Sequence, residues 1–167
     1  GNRVLKDGDV VSIDVGATWN GFVGDCAATY VAGNGSEEAQ RLIAVTKQSF
    51  FEGLQAAVPG NRICDVSEAI QKYVEANGFS VVRALTGHGI GKEMHEDPAV
   101  PNYGVKGTGI RLKKGMVIAI EPMINLGTYK VDFLSDGWGV RTKDRMPSAH
   151  YENTVAITDN GVEILTL

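Results

Sequence analysis

Two adjacent stretches with helical spacing, set between β-like segments, predict an α+β fold for this 167-residue chain. Three observations carry the prediction. Apolar residues recur at helical intervals over two neighbouring segments, apolar runs of strand composition stand before and after them, and 21 glycines are interleaved with those runs. That glycine share is about twice the usual one and points to tight turns and close backbone approaches, not to disorder.

Val10-Val11-Ser12-Ile13-Asp14-Val15 reads as a strand and Cys26 to Ala32 as a second, with Gly16, Gly21 and Gly24 between them. Ser36 is placed to cap a helix, and Glu37 and Glu38 follow in the first turn, where the helix dipole favours acid. Leu42, Ile43, Phe50, Leu54 and Ala57 carry the helical period until Pro59-Gly60 stops it. A second helix is expected from Cys64 to Ala76, with Val66, Ile70, Tyr73 and Val74 on one side and Asn77-Gly78 at its end. The pattern then turns β-like in Phe79 to Leu85, Met116 to Glu121, Tyr151 to Thr158 and Val162 to Thr166. Asp159-Asn160-Gly161 joins the last two as a hairpin. The expected order is β-β-α-α-β-β-β-β.

Composition narrows the function classes. A chain with 43% hydrophobic and 22% charged residues is an ordinary globular one, of a length that suits a single domain. A net charge of −4 gives no support for binding nucleic acid or an acidic membrane, and no apolar run approaches the ~20 residues that cross a bilayer. The chain opens Gly1-Asn2-Arg3 with no signal-peptide pattern, which suggests a processed or engineered start. Cys26 and Cys64 form neither a metal knuckle nor a disulfide framework, so buried free thiols in the cytoplasm are expected.

Four acids stand where acid is locally unexpected. Asp14 interrupts the apolar run VVSIDV, Asp25 precedes CAATYVA, Glu121 ends MVIAIE, and Glu152 lies in YENTVAI. Carboxylates beside buried strands are costly unless paired or metal-bound. If these four converge with the glycine-flanked His88, two divalent cations would balance their charge; without them some carboxylates would take up protons. Four carboxylates and one imidazole make a hard, oxygen-rich set that suits manganese, iron or cobalt better than a structural zinc site. Two such ions about 3.5–4 Å apart can activate a shared water and polarise a carbonyl. Rival motifs fail: GHGIG is neither GxGxxG nor a P-loop, HEDP is not HExxH, and GxSxG is absent.

Read in order, IDVGATWNGFVGD, TGHGIGKEMHEDPAVPNYG, IAIEPMIN and SAHYENTVAITDNGVEILTL resemble the signature blocks of the type I methionine aminopeptidases. The intervals agree with that family: 11 residues from Asp14 to Asp25, 7 from His88 to His95, and 31 from Glu121 to Glu152. Prolidases and aminopeptidase P share the fold and ligands, but PNYG and SAHYENT are closer to the methionine enzymes. The resemblance implies the pita-bread fold, a curved antiparallel sheet covered by two consecutive helices on one face. It implies hydrolysis of N-terminal methionine from peptides and nascent proteins, with a metal-bridged hydroxide as nucleophile. The cofactor would be two divalent ions, manganese, iron or cobalt first and zinc as a further candidate.

The family's roles carry over by position. Asp14 would chelate one ion, His88 and Glu121 the other, and Asp25 and Glu152 would bridge the pair. Glu121 would also shuttle protons. His95 would hydrogen-bond substrate and stabilise the tetrahedral intermediate. Met94 stands where many members have Phe beside that histidine, and Trp138 where they have a tryptophan near the methionine pocket. His150 receives no role and reads as a surface or strand-edge residue. Family members also carry an upstream half that would precede LKDGDVVSIDV. Residues 1–35 are therefore expected to be the closing hairpin of that first half, and 36–167 the second half, of one catalytic domain. Strands around Asp14 would have exposed edges that a second chain could cover. The expected partners are otherwise peptide N-termini, with no nucleic acid and no membrane. The alternatives are a Pro-directed peptidase of the same fold and a non-catalytic pita-bread module or inactive fragment.

Overall fold

Asn20 and Gly21 both adopt positive φ, 48° and 82°, the combination that a two-residue hairpin turn requires. They join β1 (Val10–Trp19) to β2 (Phe22–Val31), paired in register along their whole length. Both strands are longer than their apolar runs indicated, because Gly16 and Gly24 lie within the ladder instead of interrupting it. The computed structural model describes residues 3–166.

Ser36 caps α1 (Glu37–Ala56) as expected, its Oγ accepting the Ala39 N–H at 3.1 Å. The second helix, α2 (Ile63–Ala76), is closed at its start by Asp65, whose Oδ2 accepts the Arg62 N–H at 2.7 Å. That bond, and a second from Gly107, hold the Asp65 carboxyl below its ordinary range. Among the described residues ten strands follow, where four β-like segments were expected. They are β3 (Ser80–Val81), β4 (Gly87–Gly89), β5 (Glu96–Val100), β6 (Val117–Ile120), β7 (Met123–Asn125), β8 (Val131–Phe133), β9 (Val140–Thr142), β10 (Ser148–His150), β11 (Glu152–Thr158) and β12 (Gly161–Ile164). Those not anticipated are short, and several contain glycine or proline, so no period-2 pattern has room to develop.

Seven strands form an antiparallel sheet in the order β1-β2-β11-β6-β4-β5, with β12 on β11; β10-β7-β3 and β8-β9 form smaller sheets. The two helices pack on one face. Leu42 and Phe50 of α1 and Val66, Ile70 and Val74 of α2 meet Ile118, Ile120, Val155 and Ile157 from the sheet in one buried cluster. Among the described residues β1 pairs only with β2, and Ile13, Val15, Trp19, Phe22 and Tyr30 of this hairpin are exposed. A cavity of about 570 Å³ lies under the hairpin, lined by Ile13, Val15, Cys26 and Tyr30 with Ile43 and Lys47 of α1. The cysteines are free, but half-buried instead of buried. No described helix is long and apolar enough to cross a membrane.

Candidate metal centre

Strand register brings the acids together. In an antiparallel ladder, residues directly opposite each other point to the same face, as do residues two apart on one strand. Asp14 is opposite Ala27 on β2, and Ala27 is opposite Glu152 on β11. Asp25, two before Ala27, therefore shares their face. One step past the Asn153–Ile120 pair, Glu152 stands across from Glu121 at the end of β6. His88 is opposite Ala119, two before Glu121. Asp14, Asp25, His88, Glu121 and Glu152 thus lie on one face of four neighbouring strands and the adjoining β1, with Ala27 and Ala119 leaving room between them. The helices pack on the other face, toward which the cavity under the hairpin lies, although His150 and Glu152 are also among its lining.

Each donor is held from behind. The Asp25 N–H donates to Thr154 Oγ1, and that hydroxyl donates back to the Asp25 carbonyl, both at 2.9 Å. His88 Nδ1 lies 2.9 Å from the Gly89 carbonyl; a carbonyl can only accept, so Nδ1 carries the proton and Nε2 is left as a lone-pair donor. Nε2 faces Glu121 Oε1 at 3.5 Å and Asp25 Oδ2 at 3.9 Å. Buried Asn102 donates to the Glu121 carbonyl at 2.9 Å. The glycines around His88 also find their reason, since a Cβ on Gly87 would strike the Ala119 carbonyl and one on Gly89 the backbone of Asp97.

The electrostatics are those of a site made for cations. Burial, then the neighbouring Glu121, Asp25 and Asp14 carboxylates, push Glu152 up to about 9. Asp25 is also raised, by burial first and then by Asp14, with His88 opposing. Asp25 Oδ1 and Glu152 Oε1 are buried without any hydrogen-bond partner, an arrangement that is costly unless something positive meets them. Two donor sets each gather within 4.8 Å: Asp25, His88 and Glu152, and Asp14, His150 and Glu152. Glu152 belongs to both. The residues present fit divalent metal.

The other anticipated residues divide. The His95 ring centroid is 4.4 Å from that of His88, so this exposed histidine overhangs the donors from the turn before β5. Met94 reaches Gly16, opposite Asp25, so closely that a Cβ there would collide with its Cε. Trp138, in contrast, is 93% exposed in the turn between β8 and β9 and does not line the cavity under the hairpin. Among the described residues the structure does not bring it to the centre. His150 was missed: its side chain is 15% exposed, not a surface group, and Nε2 lies 3.5 Å from Glu121 and 3.7 Å from Glu152. Residues 150 and 152 are two apart, but β10 ends at His150 and β11 begins at Glu152, so single-strand alternation gave no signal for it.

The chain is similar to known proteins in both sequence and structure. The chain is 60% identical over 167 residues to the methionine aminopeptidase of Clostridium perfringens, covering 100% of this chain and 67% of that protein. The solved methionine aminopeptidase of Thermotoga maritima superposes with a TM-score of 0.96 at 48% identity, over 98% of this chain and 66% of its own. That of Rickettsia prowazekii gives 0.98 at 43% identity, over 100% and 68%. The pita-bread fold expected from the resemblance is therefore present, and the chain spans about two thirds of the length of these relatives. With residues 1–159 matching the family's sequence profile, the chain belongs to metallopeptidase family M24.

Proposed function

We propose that this chain carries the dinuclear metal centre of an aminopeptidase that releases N-terminal methionine from peptides and nascent proteins. The observation that supports it most is Glu152, common to two separate donor sets within 4.8 Å, as a carboxylate bridging two ions must be. Asp25, on the same face as Asp14 and His88, would be the second residue shared by the pair; Asp14 would hold one ion, and His88 with Glu121 the other. Two divalent ions, manganese, iron or cobalt, supply an activated water and polarise the scissile carbonyl when bound.

The chain's own groups do the rest. Glu121, whose two oxygens lie 3.5 Å from His88 Nε2 and from His150 Nε2, would take the proton of an attacking water and hand it to the departing amine. His95, above His88 and open to solvent, donates a hydrogen bond to the oxygen on which charge develops. Met94, which reaches Gly16 opposite Asp25, forms part of the wall facing the substrate.

The test is methionine release from a Met-Ala-Ser peptide with manganese, iron or cobalt added, on this chain and on the full-length natural protein. Release that disappears with chelator supports the proposal. A folded, metal-loaded full-length protein that releases no methionine, or that prefers an X-Pro peptide, refutes it.

A further inference from the structure

His150 closes β10, two residues before Glu152, and its backbone is fixed. Its N–H donates to Thr29 Oγ1 at 2.8 Å, and the Thr29 hydroxyl donates to its carbonyl at 2.7 Å. This is the same two-way clamp that Thr154 places on Asp25. The imidazole is thereby aimed at the acids, yet Nε2 is buried with no hydrogen-bond partner. Its distances to Glu121 and Glu152, 3.5 and 3.7 Å, exceed the roughly 2.7–3.2 Å of an N–H···O bond. The 3.7 Å to Glu152 matches the separation of two ligands on one ion, since donors about 2.1 Å from a metal in tetrahedral array stand about 3.4 Å apart. His88 has the same spacing to its neighbours, 3.5 and 3.9 Å. The two histidines approach the carboxylates from different strands, His88 completing the set with Asp25 and Glu152, and His150 that with Asp14 and Glu152.

We infer that His150 Nε2 is a sixth metal donor, coordinating the ion held by Asp14 and Glu152, so that each half of the centre contains one imidazole. The inference rests on the dinuclear reading above. A second nitrogen shifts the donor set from hard oxygen toward cobalt and zinc.

The experiment titrates cobalt(II) and zinc(II) into the folded wild type, His150→Gln and His150→Asn, checked by circular dichroism, and measures imidazole scattering by X-ray absorption. Wild type should bind two equivalents with an average of one imidazole per ion. The variants should keep one tight equivalent, bind the second at least about tenfold more weakly, and show half the imidazole scattering. Unchanged affinity, or weaker affinity with unchanged imidazole scattering, overturns the assignment; the latter makes His150 a hydrogen-bonding neighbour only. Wild type that fails to bind two equivalents overturns the dinuclear reading, and this inference with it.

Discussion

Glu152→Gln should stabilise the metal-free chain and destabilise the metal-loaded one. In the metal-free fold Glu152 is 2% exposed, and burial with three nearby carboxylates moves its pKa from an ordinary 4.5 to about 9. A carboxyl whose folded-state value is raised favours folding fully below pH 4.5, and that advantage is lost as pH climbs toward 9. Each pH unit in that window costs about 1.4 kcal/mol, so at pH 7 the cost reaches about 3 kcal/mol. Glutamine keeps the shape and removes the titration. In chelator the variant should therefore melt about 6–12 °C above wild type at pH 7, and about level with it at pH 4.5. With cobalt or manganese present the order should invert, because the variant has lost the oxygen common to both donor sets. Thermal melts at both pH values, with chelator and with metal, measure this. A metal-free variant less stable than wild type at pH 7, or an advantage that shrinks as pH rises, would refute the reasoning.

Other substitutions separate the roles of neighbours. His88→Ala should weaken metal binding at least about tenfold, whereas His95→Ala should leave metal stoichiometry intact and lower kcat about a hundredfold, as loss of one oxyanion donor does. Equal loss of metal in both would contradict the division. Leu42→Ala, at a fully buried position on α1, should cost about 2–5 kcal/mol in urea unfolding of the metal-loaded chain. A cost below about 1 kcal/mol would mean that the helix layer is not held by this contact.

The parts of the molecule legible beforehand share a cause. The two helices are long enough for a 3.6-residue period to emerge, and Ser36 and Pro59-Gly60 mark the limits of the first. Asp14, Asp25, Glu121 and Glu152 were conspicuous because each stands within or at the end of an apolar run, and the structure gathers them with His88 on one face. The short strands were hidden for the opposite reason. Gly87 to Gly89 is a strand because its neighbours force it to be, not because its residues favour one. His150 was obscured by Tyr151, where one strand ends and another begins. Between them the Tyr151 N–H donates to the Pro122 carbonyl, a long-range bond that no local pattern announces. Trp138 was assigned by position in a motif, and motif position says nothing about where an exposed turn points.

The ladder of β1, β2, β11, β6 and β4 works as a ruler, since neighbouring strands in any sheet lie about 4.8 Å apart. Donor separations are thus written into backbone pairing before an ion arrives. Insertions and deletions then have unequal consequences. The turns beyond the ladder, such as 134–139, can lengthen without moving a donor, at a cost that grows only slowly with length. Loss of a single residue between Asp14 and the Asn20-Gly21 turn shifts the register of β1 against β2 by one and turns that carboxylate to the helix side of the sheet.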